Sequence, residues 1–335
     1  MRRARLVASG WDQDLVYEPA AEAPPAPQGP MVLVAVEACG VCHRDLIDRG
    51  GRFAFLQLPI TPGHEAVGRV IAVGSEVTRW KVGDRVGTLH RDGCGDCAAC
   101  AEGETSLCER ASWVFGILTD GGYASSLSAP ESALYALPDE LPAAEAAAYQ
   151  CTFGTAYRGL NGVQRGQRVL ITGANGGVGA AGVQVGKALG AEVIAVVRDE
   201  KQREFVASLG ADQVIVDDGN DFHKQVRGID AALDCVGQPT FNATLRSLRI
   251  GGRVTVVGNV VAERAMLNLG YVIVNALRIT GSSGATARDM AALLELRQRH
   301  SLRLPIAEEL PLAEADAAQR RLRSGGIRGR LVLRP

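Results

Sequence analysis

RVLITGANGGVG (168–179) combines an apolar strand, a glycine-rich turn and the start of a helix. Aligned on its last glycine, the turn reads A-x-G-x-x-G, with Ala174 in the place of the first glycine. A second apolar strand, EVIAVV (192–197), follows about 20 residues later, which is the context in which such a turn binds a dinucleotide. A tight turn with a purely structural role is the alternative.

The chemistry of this turn suits a pyrophosphate. Gly176 lets the backbone approach the ligand, and Gly179 lets the helix pack close to the strand. The helix N-terminus offers N–H groups and the positive end of its dipole to the phosphates. The predicted cofactor contacts in the turn are Ala174, Asn175, Gly176, Gly177, Val178 and Gly179.

The end of the second strand distinguishes the two nicotinamide dinucleotides. NAD sites carry Asp or Glu there, which binds the ribose 2′-hydroxyl. This chain has Arg198 directly after Val197, and Asp199 follows it. Because Arg suits a 2′-phosphate, NADP(H) is favoured over NAD(H). Asp199 keeps NAD(H) as the alternative, unless its side chain only caps the next helix.

Apolar strands alternate with helical segments over residues 168–280, and parallel strands joined by helices form a doubly wound, Rossmann-type sheet. The first third of the chain differs, because Val- and Gly-rich strands such as MVLVAVEACG (31–40) predict a small, strongly bent β-barrel. The predicted fold class is therefore α/β, with a β-barrel domain and a doubly wound parallel-sheet nucleotide domain.

The chain has 335 residues, of which 47% are hydrophobic and 22% charged, and its net charge is −1. This balance gives no reason to expect nucleic acid or an anionic membrane as a partner. No apolar run reaches the roughly 18 residues of a membrane helix, and the apolar stretch near the basic start is too short for a secretory signal. We expect a cytoplasmic protein of two domains that acts on a small-molecule substrate.

Four of the eight cysteines follow the spacing C-x2-C-x2-C-x7-C: Cys94, Cys97, Cys100 and Cys108. One polar loop can direct these four sulfurs at one point, and tetrahedral Zn²⁺ suits four thiolates. Two disulfides would need an oxidising compartment. An iron–sulfur cluster is the other alternative, but the x7 gap fits neither common ferredoxin spacing. The sequence predicts a structural zinc in a lobe over residues 90–110.

Three further positions are Cys42 in ACGVCHRD, His64 in PGHEAVG and Cys151 in YQCTFGTAY. The stretch around His64 has the form G-H-E-x2-G-x5-G-x2-V, given by Gly63, His64, Glu65, Gly68, Gly74 and Val77. With this motif, the four-cysteine lobe and the nucleotide turn, essentially the whole chain resembles the zinc-dependent medium-chain dehydrogenase/reductases, the alcohol dehydrogenase superfamily.

The resemblance implies a second, catalytic zinc held by Cys42, His64 and Cys151, with a fourth position left for water or a substrate oxygen. Glu65 corresponds to a carboxylate that can exchange with that water. Asp45 corresponds to the acid that orients the ligand histidine. The implied reaction is hydride transfer between nicotinamide C4 and a carbon next to a polarised oxygen.

The resemblance also assigns cofactor roles outside the turn. Thr155 matches a residue that contacts the nicotinamide, and Gly258 ends a strand whose loop flanks it. His43 and Arg330 match positions that reach the pyrophosphate.

Position 44 departs from the family pattern. Alcohol dehydrogenases carry Ser or Thr two residues after the first zinc cysteine, and its hydroxyl begins a proton relay. This chain has Arg44 there, and Ile47 falls near the next relay position. Either water replaces the relay, or the substrate is not an alcohol.

Residues 235–260 and 267–286 resemble the acryloyl-CoA reductase branch, which also carries Arg at the position of Arg44 and reduces an unsaturated thioester with NADPH. Arg44 then faces an anionic or carbonyl part of the substrate, and a surface salt bridge is the alternative.

The resemblance places residues 1–152 and 281–335 in a GroES-like catalytic domain and 153–280 in the Rossmann domain, and it implies a homodimer or homotetramer. The leading hypothesis is an NAD(P)H-dependent alcohol or carbonyl oxidoreductase. The second is an NADPH-dependent reductase of enoyl-CoA thioesters or activated alkenes. The third is a non-catalytic nucleotide-binding member with structural zinc only.

The remaining histidines, His90, His223 and His300, belong to no motif with a partner residue and are expected to be exposed.

Overall fold

Residues 1–261 and 263–335 are described in a computed structural model of the chain. Unit 1 comprises Met1–Cys151, Ala285–Ala291 and Pro305–Pro335, and unit 2 comprises Thr152–Gly284 and Ala292–Leu304. The sequence assigned 281–335 entirely to the first domain, whereas 281–284 and 292–304 belong to unit 2. The side-chain amide of Gln184 explains part of this difference, because it donates to the backbone carbonyl of Arg303 at 2.8 Å and accepts from its N–H at 2.9 Å. The predicted domain boundaries stay a prediction.

The strands of the described residues are β1 (Arg3–Arg5), β2 (Val16–Glu18), β3 (Met31–Gly40), β4 (Ala66–Val73), β5 (Arg85–Thr88), β6 (Ser126–Pro130), β7 (Leu134–Ala136), β8 (Arg168–Thr172), β9 (Glu192–Val197), β10 (Gln213–Val216), β11 (Ile229–Asp234), β12 (Leu248–Val256), β13 (Arg278–Gly281), β14 (Ile306–Pro311) and β15 (Arg330–Arg334).

The helices are α1 (His43–Arg49), α2 (Ala98–Ala101), α3 (Ala143–Tyr149), α4 (Thr155–Gly159), α5 (Gly177–Ala188), α6 (Arg203–Ser208), α7 (Gln238–Ser247), α8 (Leu269–Val274), α9 (Ala287–Arg299) and α10 (Ala315–Ser324). Among the described residues, none of them is both long and apolar enough to cross a membrane.

Unit 2 contains a parallel sheet in the order β10-β9-β8-β11-β12-β13. Nearly every residue of β8 and β9 is buried, because a parallel sheet covered by helices on both faces has no solvent side. The chain runs outward from β8 to β10 and then continues from β11 on the other side of β8. This doubly wound order confirms the predicted Rossmann-type fold.

Unit 1 is built around β3, which pairs antiparallel with β4, β6 and β15 in a seven-stranded sheet. Its residues alternate between partly and fully buried, as expected for a strand with one face toward the core. The register of β3 against β4 shifts at two places, and such irregularities bend a sheet toward closure. This architecture confirms the predicted GroES-like β-barrel.

Of the three histidines expected to be exposed, His300 meets the expectation and His223 does not, while His90 is described with the candidate site below. His300 is exposed, whereas His223 is only 6% exposed. His223 lies in the short turn Phe222–Lys224, which packs against α7, and its Nε2 atom lies 3.5 Å from the guanidinium of Arg246. The packing of the turn against this helix removes the imidazole from solvent.

Candidate active site

Four buried side chains of unit 1 come together from separate parts of the chain. Cys42 directly precedes α1, and His64 and Glu65 directly precede β4. Cys151 lies in the π-helical turn Gln150–Gly154 after α3, a conformation often found at functional sites. One donor atom from each of the four residues lies within 4.8 Å of the other three. We call this group the His64 cluster.

The donor atoms of the His64 cluster fit a zinc ion. Nε2 of His64 and Oε1 of Glu65 are buried, and neither has a hydrogen-bond partner among the described residues. Sγ of Cys42 lies 3.6 Å from Sγ of Cys151, and both thiols are free. Two thiolates and one imidazole form a ligand set that leaves a zinc ion one open position. Cys42, His64 and Cys151 are therefore candidate ligands, and Glu65 lies beside them.

The imidazole of His64 is oriented by Asp45. Oδ1 of Asp45 lies 3.1 Å from Nδ1 of His64, and its Oδ2 accepts hydrogen bonds from the backbone N–H of Cys42 and the hydroxyl of Tyr123. Burial and the charge of Arg44 lower the pKa of His64, but the charges of Asp45 and Cys42 outweigh them and raise it to about 9. A divalent cation at Nε2 would displace that proton, because a ligand histidine must be neutral.

Glu65 is held by Arg330, the first residue of β15. Nη2 of Arg330 donates to Oε2 of Glu65, and both side chains are buried. Burial raises the pKa of Glu65 to about 7, although the charge of Arg330 opposes this. Oε1 of Glu65 lies 4.0 Å from Nε2 of His64, so one oxygen is paired and the other lies near the candidate ligand. A contact of Arg330 with a pyrophosphate stays a prediction.

The two thiols of the His64 cluster differ in acidity. The hydrogen bond from Cys151 is the main reason why the pKa of Cys42 lies well below its ordinary value, against the effect of burial. The same hydrogen bond, together with burial, raises the pKa of Cys151 well above its ordinary value. A divalent cation would favour the thiolate form of both residues.

Arg44 lies in α1 and is held by two partners. Its Nη2 donates to the backbone carbonyl of Phe115 at 2.6 Å, and its Nε lies 3.2 Å from Oδ2 of Asp48. Asp48 is buried, and burial raises its pKa to about 7 although the Arg44 charge opposes this. The charge of Arg44 also lowers the pKa of His64, so its field reaches the His64 cluster. The side chain of Arg44 is therefore both salt-bridged and close to the candidate metal site.

Three residues near the His64 cluster were missed from the sequence, and the expected exposure of His90 was wrong. The ring centroid of His90 lies 5.1 Å from that of His64, and its Nε2 atom is buried. Burial, then the charges of His64 and Arg44, hold the pKa of His90 well below its ordinary value. The other two residues are Asp48 and Tyr123. No spacing in the sequence relates His90 or Tyr123 to the zinc motif, whereas the i, i+4 spacing of Arg44 and Asp48 in α1 could have indicated their ion pair.

The four cysteines of the lobe also converge. Their sulfurs all lie within 4.8 Å of one another, with Cys94 and Cys100 4.0 Å apart and Cys97 and Cys108 3.9 Å apart. Tetrahedral Zn–S bonds of about 2.3 Å place neighbouring sulfurs roughly 3.8 Å apart, so this arrangement fits one zinc ion. A hydrogen bond from the backbone of Cys100 is the main cause that lowers the pKa of Cys97 to about 7, which favours a thiolate.

The nucleotide turn of unit 2 connects β8 to α5. Gly176 caps the helix, and Gly177, Val178 and Gly179 form its first turn. A Cβ atom on Gly179 would lie 2.2 Å from the carbonyl oxygen of Gly173, so only glycine allows α5 to pack this closely on the end of β8. Ala174 and Asn175 lie in the same turn, and Ala174 is fully buried. The six predicted residues thus form one continuous helix N-terminus.

The end of β9 carries one exposed cation and one capping acid. Arg198 is exposed. Oδ1 of Asp199 accepts a hydrogen bond of 2.9 Å from the backbone N–H of Lys201 and caps the turn Glu200–Gln202. The carboxylate of Asp199 therefore already has a structural role.

Three further predicted cofactor residues lie at the ends of elements. Thr155 begins α4 and is buried, and Gly258 follows β12. A Cβ atom on Gly258 would lie 2.0 Å from the carbonyl oxygen of Cys235, so this position requires glycine. His43 begins α1 in unit 1 and is exposed. Their contacts with a cofactor stay predictions.

Residues 28–139 match the family described as alcohol dehydrogenase GroES-like domain, and residues 177–299 match the family described as zinc-binding dehydrogenase. Acryloyl-coenzyme A reductase of Sulfurisphaera tokodaii is 33% identical over 93% of this chain and 94% of its own length. An alcohol dehydrogenase of Geobacillus stearothermophilus is 36% identical over 90% of this chain and 91% of its own length. The crystal structure of AibC has 41% sequence identity and a TM-score of 0.92, and the match covers 100% of this chain and 96% of that one.

Proposed function

The chain belongs to the zinc-dependent medium-chain dehydrogenase/reductase superfamily, and from this premise we propose that it is an NADPH-dependent reductase of α,β-unsaturated thioesters. Relatives of this chain are alcohol dehydrogenases and acryloyl-coenzyme A reductases, so it is an oxidoreductase of this family. The substrate class depends on whether the hydride adds to a carbonyl group or to a carbon–carbon double bond.

The observation that carries the proposal is the position of Arg44. A guanidinium held by Asp48 and the Phe115 carbonyl takes the place of the hydroxyl that begins an alcohol proton relay. Arg carries five N–H donors and no acceptor, and it does not release its proton in proteins. Arg44 therefore cannot relay a proton from an alcohol, but it can stabilise negative charge on a substrate oxygen.

Reduction of an enoyl thioester needs this kind of stabilisation. A hydride adds to the β-carbon and a proton from solvent adds to the α-carbon, so the double bond becomes a single bond and NADPH becomes NADP⁺. Negative charge develops on the thioester oxygen as the hydride arrives, and a fixed cation lowers the free energy of that charge. In this proposal Arg44 supplies the cation and NADPH supplies the hydride.

Cys42, His64 and Cys151 would hold the catalytic zinc, which when bound acts as a Lewis acid toward a substrate oxygen. Asp45 keeps the Nδ1 proton of His64 in place, so that Nε2 is the atom available to a metal. Arg330 pairs with Glu65 and keeps one of its oxygens beside His64. The four lobe cysteines would hold a second, structural zinc.

NADPH is proposed as the cofactor in preference to NADH. Arg198 is exposed at the end of β9, the position from which a side chain would contact the ribose 2′-phosphate. Asp199, the acid that would otherwise suit a 2′-hydroxyl, already accepts a hydrogen bond from the backbone N–H of Lys201. Both observations favour the phosphorylated dinucleotide.

Alcohol or carbonyl oxidoreduction is the second candidate function. It is supported by the complete ligand set of the His64 cluster and by the relative from Geobacillus stearothermophilus, an alcohol dehydrogenase. In that case water would have to replace the hydroxyl relay at Arg44.

The proposed assembly is a homodimer or homotetramer formed by unit 2. Apolar side chains of and near α8 are exposed, namely Met266, Leu269, Ile273 and Val274. β13 pairs with β12 along one side and ends the sheet. A second copy would bury both the apolar surface and the free strand edge. The eight cysteines are all free, which suits the proposed cytoplasmic location.

A substrate screen tests the proposed function. Purified protein is assayed with NADPH and NADH against crotonyl-CoA, acryloyl-CoA, a set of aldehydes and ketones, and butyryl-CoA as the saturated control. We expect crotonyl-CoA to be reduced with NADPH and butyryl-CoA to be inert. Turnover of aldehydes without turnover of either enoyl thioester would establish the second candidate. Absence of any turnover, with one zinc per chain, would instead support the non-catalytic hypothesis.

A further inference from the structure

We propose that Asp234 is a positioning residue that fixes the backbone of the dinucleotide crevice through Thr172, and so sets the affinity for the cofactor. This inference rests on the dinucleotide binding of the proposed function. Asp234 is the last residue of β11, and its side chain is fully buried.

Asp234 lies at the point where the order of the sheet reverses. β11 pairs with β8, and Asp234 is the direct register partner of Thr172, the last residue of β8. Dinucleotides bind in doubly wound folds outside the carboxyl ends of the strands that flank this point. The nucleotide turn begins immediately after Thr172. The two residues thus end the two strands that define the crevice.

The carboxylate joins three segments by hydrogen bonds. Oδ1 accepts from the hydroxyl of Thr172 at 3.0 Å and from the backbone N–H groups of Val236 and Gly237 at 3.0 and 2.9 Å. The hydroxyls of Thr240 and Thr244 in α7 lie 2.8 and 3.1 Å from the carboxylate oxygens. A buried carboxylate with this many donors is compensated for its loss of hydration.

Thr172 continues the connection toward the crevice. Its hydroxyl donates to Asp234 and accepts a hydrogen bond of 3.1 Å from the backbone N–H of Cys235. The carbonyl of Cys235 in turn packs directly against Gly258, where a Cβ atom would lie 2.0 Å away. A displacement of the segment after β11 must therefore also move the segment after β12, which is predicted to flank the nicotinamide.

Thr244 provides a matched comparison, because its hydroxyl contacts Oδ2 of the same carboxylate, whereas that of Thr172 contacts Oδ1. Both threonines are fully buried, and each hydroxyl lies about 3 Å from an Asp234 oxygen. The hydroxyl of Thr244 also lies 3.0 Å from the carbonyl of Thr240 within its own helix. If the Asp234 carboxylate only stabilised the fold, loss of either threonine hydroxyl would have the same effect on cofactor affinity. If it positions the crevice through Thr172, only loss of the Thr172 hydroxyl should weaken cofactor binding.

The test compares Thr172→Val with Thr244→Val, since Val keeps the shape of Thr and removes the hydroxyl. Melting curves and the Kd for NADPH, from quenching of protein fluorescence, are measured for both variants and the wild type. We expect both variants to melt at somewhat lower temperature. We expect the Kd to rise about fivefold or more for Thr172→Val and to stay within about twofold for Thr244→Val.

Equal Kd values for the two Val variants, whether raised or unchanged, overturn the inference. Thr172→Ser retains the hydroxyl and is expected to bind NADPH within about twofold of wild type. If Thr172→Ser binds NADPH as weakly as is expected for Thr172→Val, the inference is also overturned. This comparison remains valid even if Thr172→Val does not fold. A wild-type protein that binds neither NADPH nor NADH would instead reject the proposed function on which the inference rests.

Discussion

Oδ1 of Asp45 lies 3.1 Å from Nδ1 of His64, and both side chains are almost completely buried. The contact joins the first turn of α1 to His64, two residues before β4, so it depends on the tertiary fold of unit 1 rather than on local sequence. A carboxylate at Nδ1 holds the proton there and leaves Nε2 with its lone pair free for a metal. The orientation of the candidate ligand is therefore set by Asp45, which is not one of the four residues of the His64 cluster.

Asp45→Asn should weaken zinc binding at the His64 cluster. The amide can donate its own N–H to Nδ1, which would move the histidine proton to Nε2 and block the metal-binding atom. We expect the affinity of this site for zinc to fall by about 10- to 100-fold, as for other residues that orient metal ligands. Competition with a chelator of known affinity, read by metal analysis, measures the effect.

Tyr123→Phe is the control for this variant, because it removes a hydrogen bond to the other oxygen of Asp45 and leaves the His64 contact intact. We expect zinc affinity within a few-fold of wild type for Tyr123→Phe. Equal zinc affinity in Asp45→Asn and wild type would contradict the orienting role of the carboxylate.

Cys97→Ser should remove the structural zinc and lower stability without altering cofactor affinity. Its sulfur lies 3.9 Å from that of Cys108, and loss of one of four thiolates opens the tetrahedron. Metal binding contributes directly to the folding free energy of such lobes. We expect the zinc content to fall from about two to one per chain and the melting temperature to drop by at least about 5 °C, while the Kd for NADPH is retained. An unchanged melting temperature would reject the structural role.

The arrangement of strands in both units could be predicted from the sequence because its signals are local. β3 (Met31–Gly40) and β9 (Glu192–Val197) have the bounds that their apolar runs gave, and Gly179 lies where helix and strand pack. The helical segment after β9 is divided in two, since Asp199 caps a separate 3₁₀ turn, Glu200–Gln202, before α6 begins. α10 (Ala315–Ser324) and β14 (Ile306–Pro311) were not predicted, because each carries few apolar residues and is placed by its packing on α1 and its pairing with β15, respectively.

The candidate site was predictable in its ligands but not in its surroundings. The spacing around His64 and the lobe cysteines marks atoms that a metal needs, and these atoms come together in the structure. His90 has no such signal, since its ring contact with His64 depends on which loops meet, whereas Asp48 is spaced to pair with Arg44 along α1 but its burial could not be predicted. For Arg44 the structure shows a salt bridge with Asp48, whereas its contact with an anionic or carbonyl part of the substrate stays a prediction.

Asp316 should make unit 1 sensitive to acid. Its carboxylate lies 2.6 Å from the guanidinium of buried Arg49 and accepts from the backbone N–H of Leu15 and from Arg320. Burial raises the pKa of Asp316, but these hydrogen bonds and charges outweigh it and lower the pKa below its ordinary value. Because the folded pKa is lower than the unfolded value near 4, the stabilisation is complete above about pH 4 and is lost as the pH falls through the folded pKa.

Asp316→Asn should therefore lower the free energy of unfolding by about 1–3 kcal/mol at pH 7, and the difference from wild type should narrow below about pH 4. Urea unfolding at a series of pH values measures both effects. Asp139→Asn is the control, since Asp139 forms an exposed ion pair with Arg69 and its loss should change stability by less than about 1 kcal/mol. If the difference in free energy of unfolding between Asp316→Asn and wild type stayed constant down to pH 3, ionisation of the Asp316 carboxylate would not be the source of the stabilisation.

Ile273→Asp should reduce self-association if α8 forms the contact between copies. Ile273 is 76% exposed although it is apolar, so a charge there would not disturb the core of unit 2. We expect the molar mass from light scattering to fall toward 35.3 kDa, the mass of one chain. Val82→Asp is the matched control, because Val82 is 63% exposed in unit 1, and it should keep the wild-type mass. Equal masses for both variants and wild type would place the contact elsewhere.

Arg44→Ser should separate the two candidate reactions. The substitution removes the cation held by Asp48 and Phe115 and introduces the hydroxyl that alcohol dehydrogenases carry at this position. If Arg44 stabilises charge on a thioester oxygen, kcat/KM for crotonyl-CoA should fall by about 100- to 1,000-fold, mainly through kcat. Arg44→Lys keeps the charge but loses the planar fork, so an intermediate loss is expected.

Steady-state kinetics with crotonyl-CoA and with an aldehyde, at equal zinc content, compare these variants. Arg79→Ser is the control, since Arg79 is another arginine of unit 1, lies over the ring of Trp80 and is not part of the His64 cluster. A fall in enoyl reduction with aldehyde reduction retained or increased would assign Arg44 to the thioester. If Arg44→Ser changed both reactions equally, the guanidinium would not distinguish the substrates, and alcohol or carbonyl chemistry would become the better assignment.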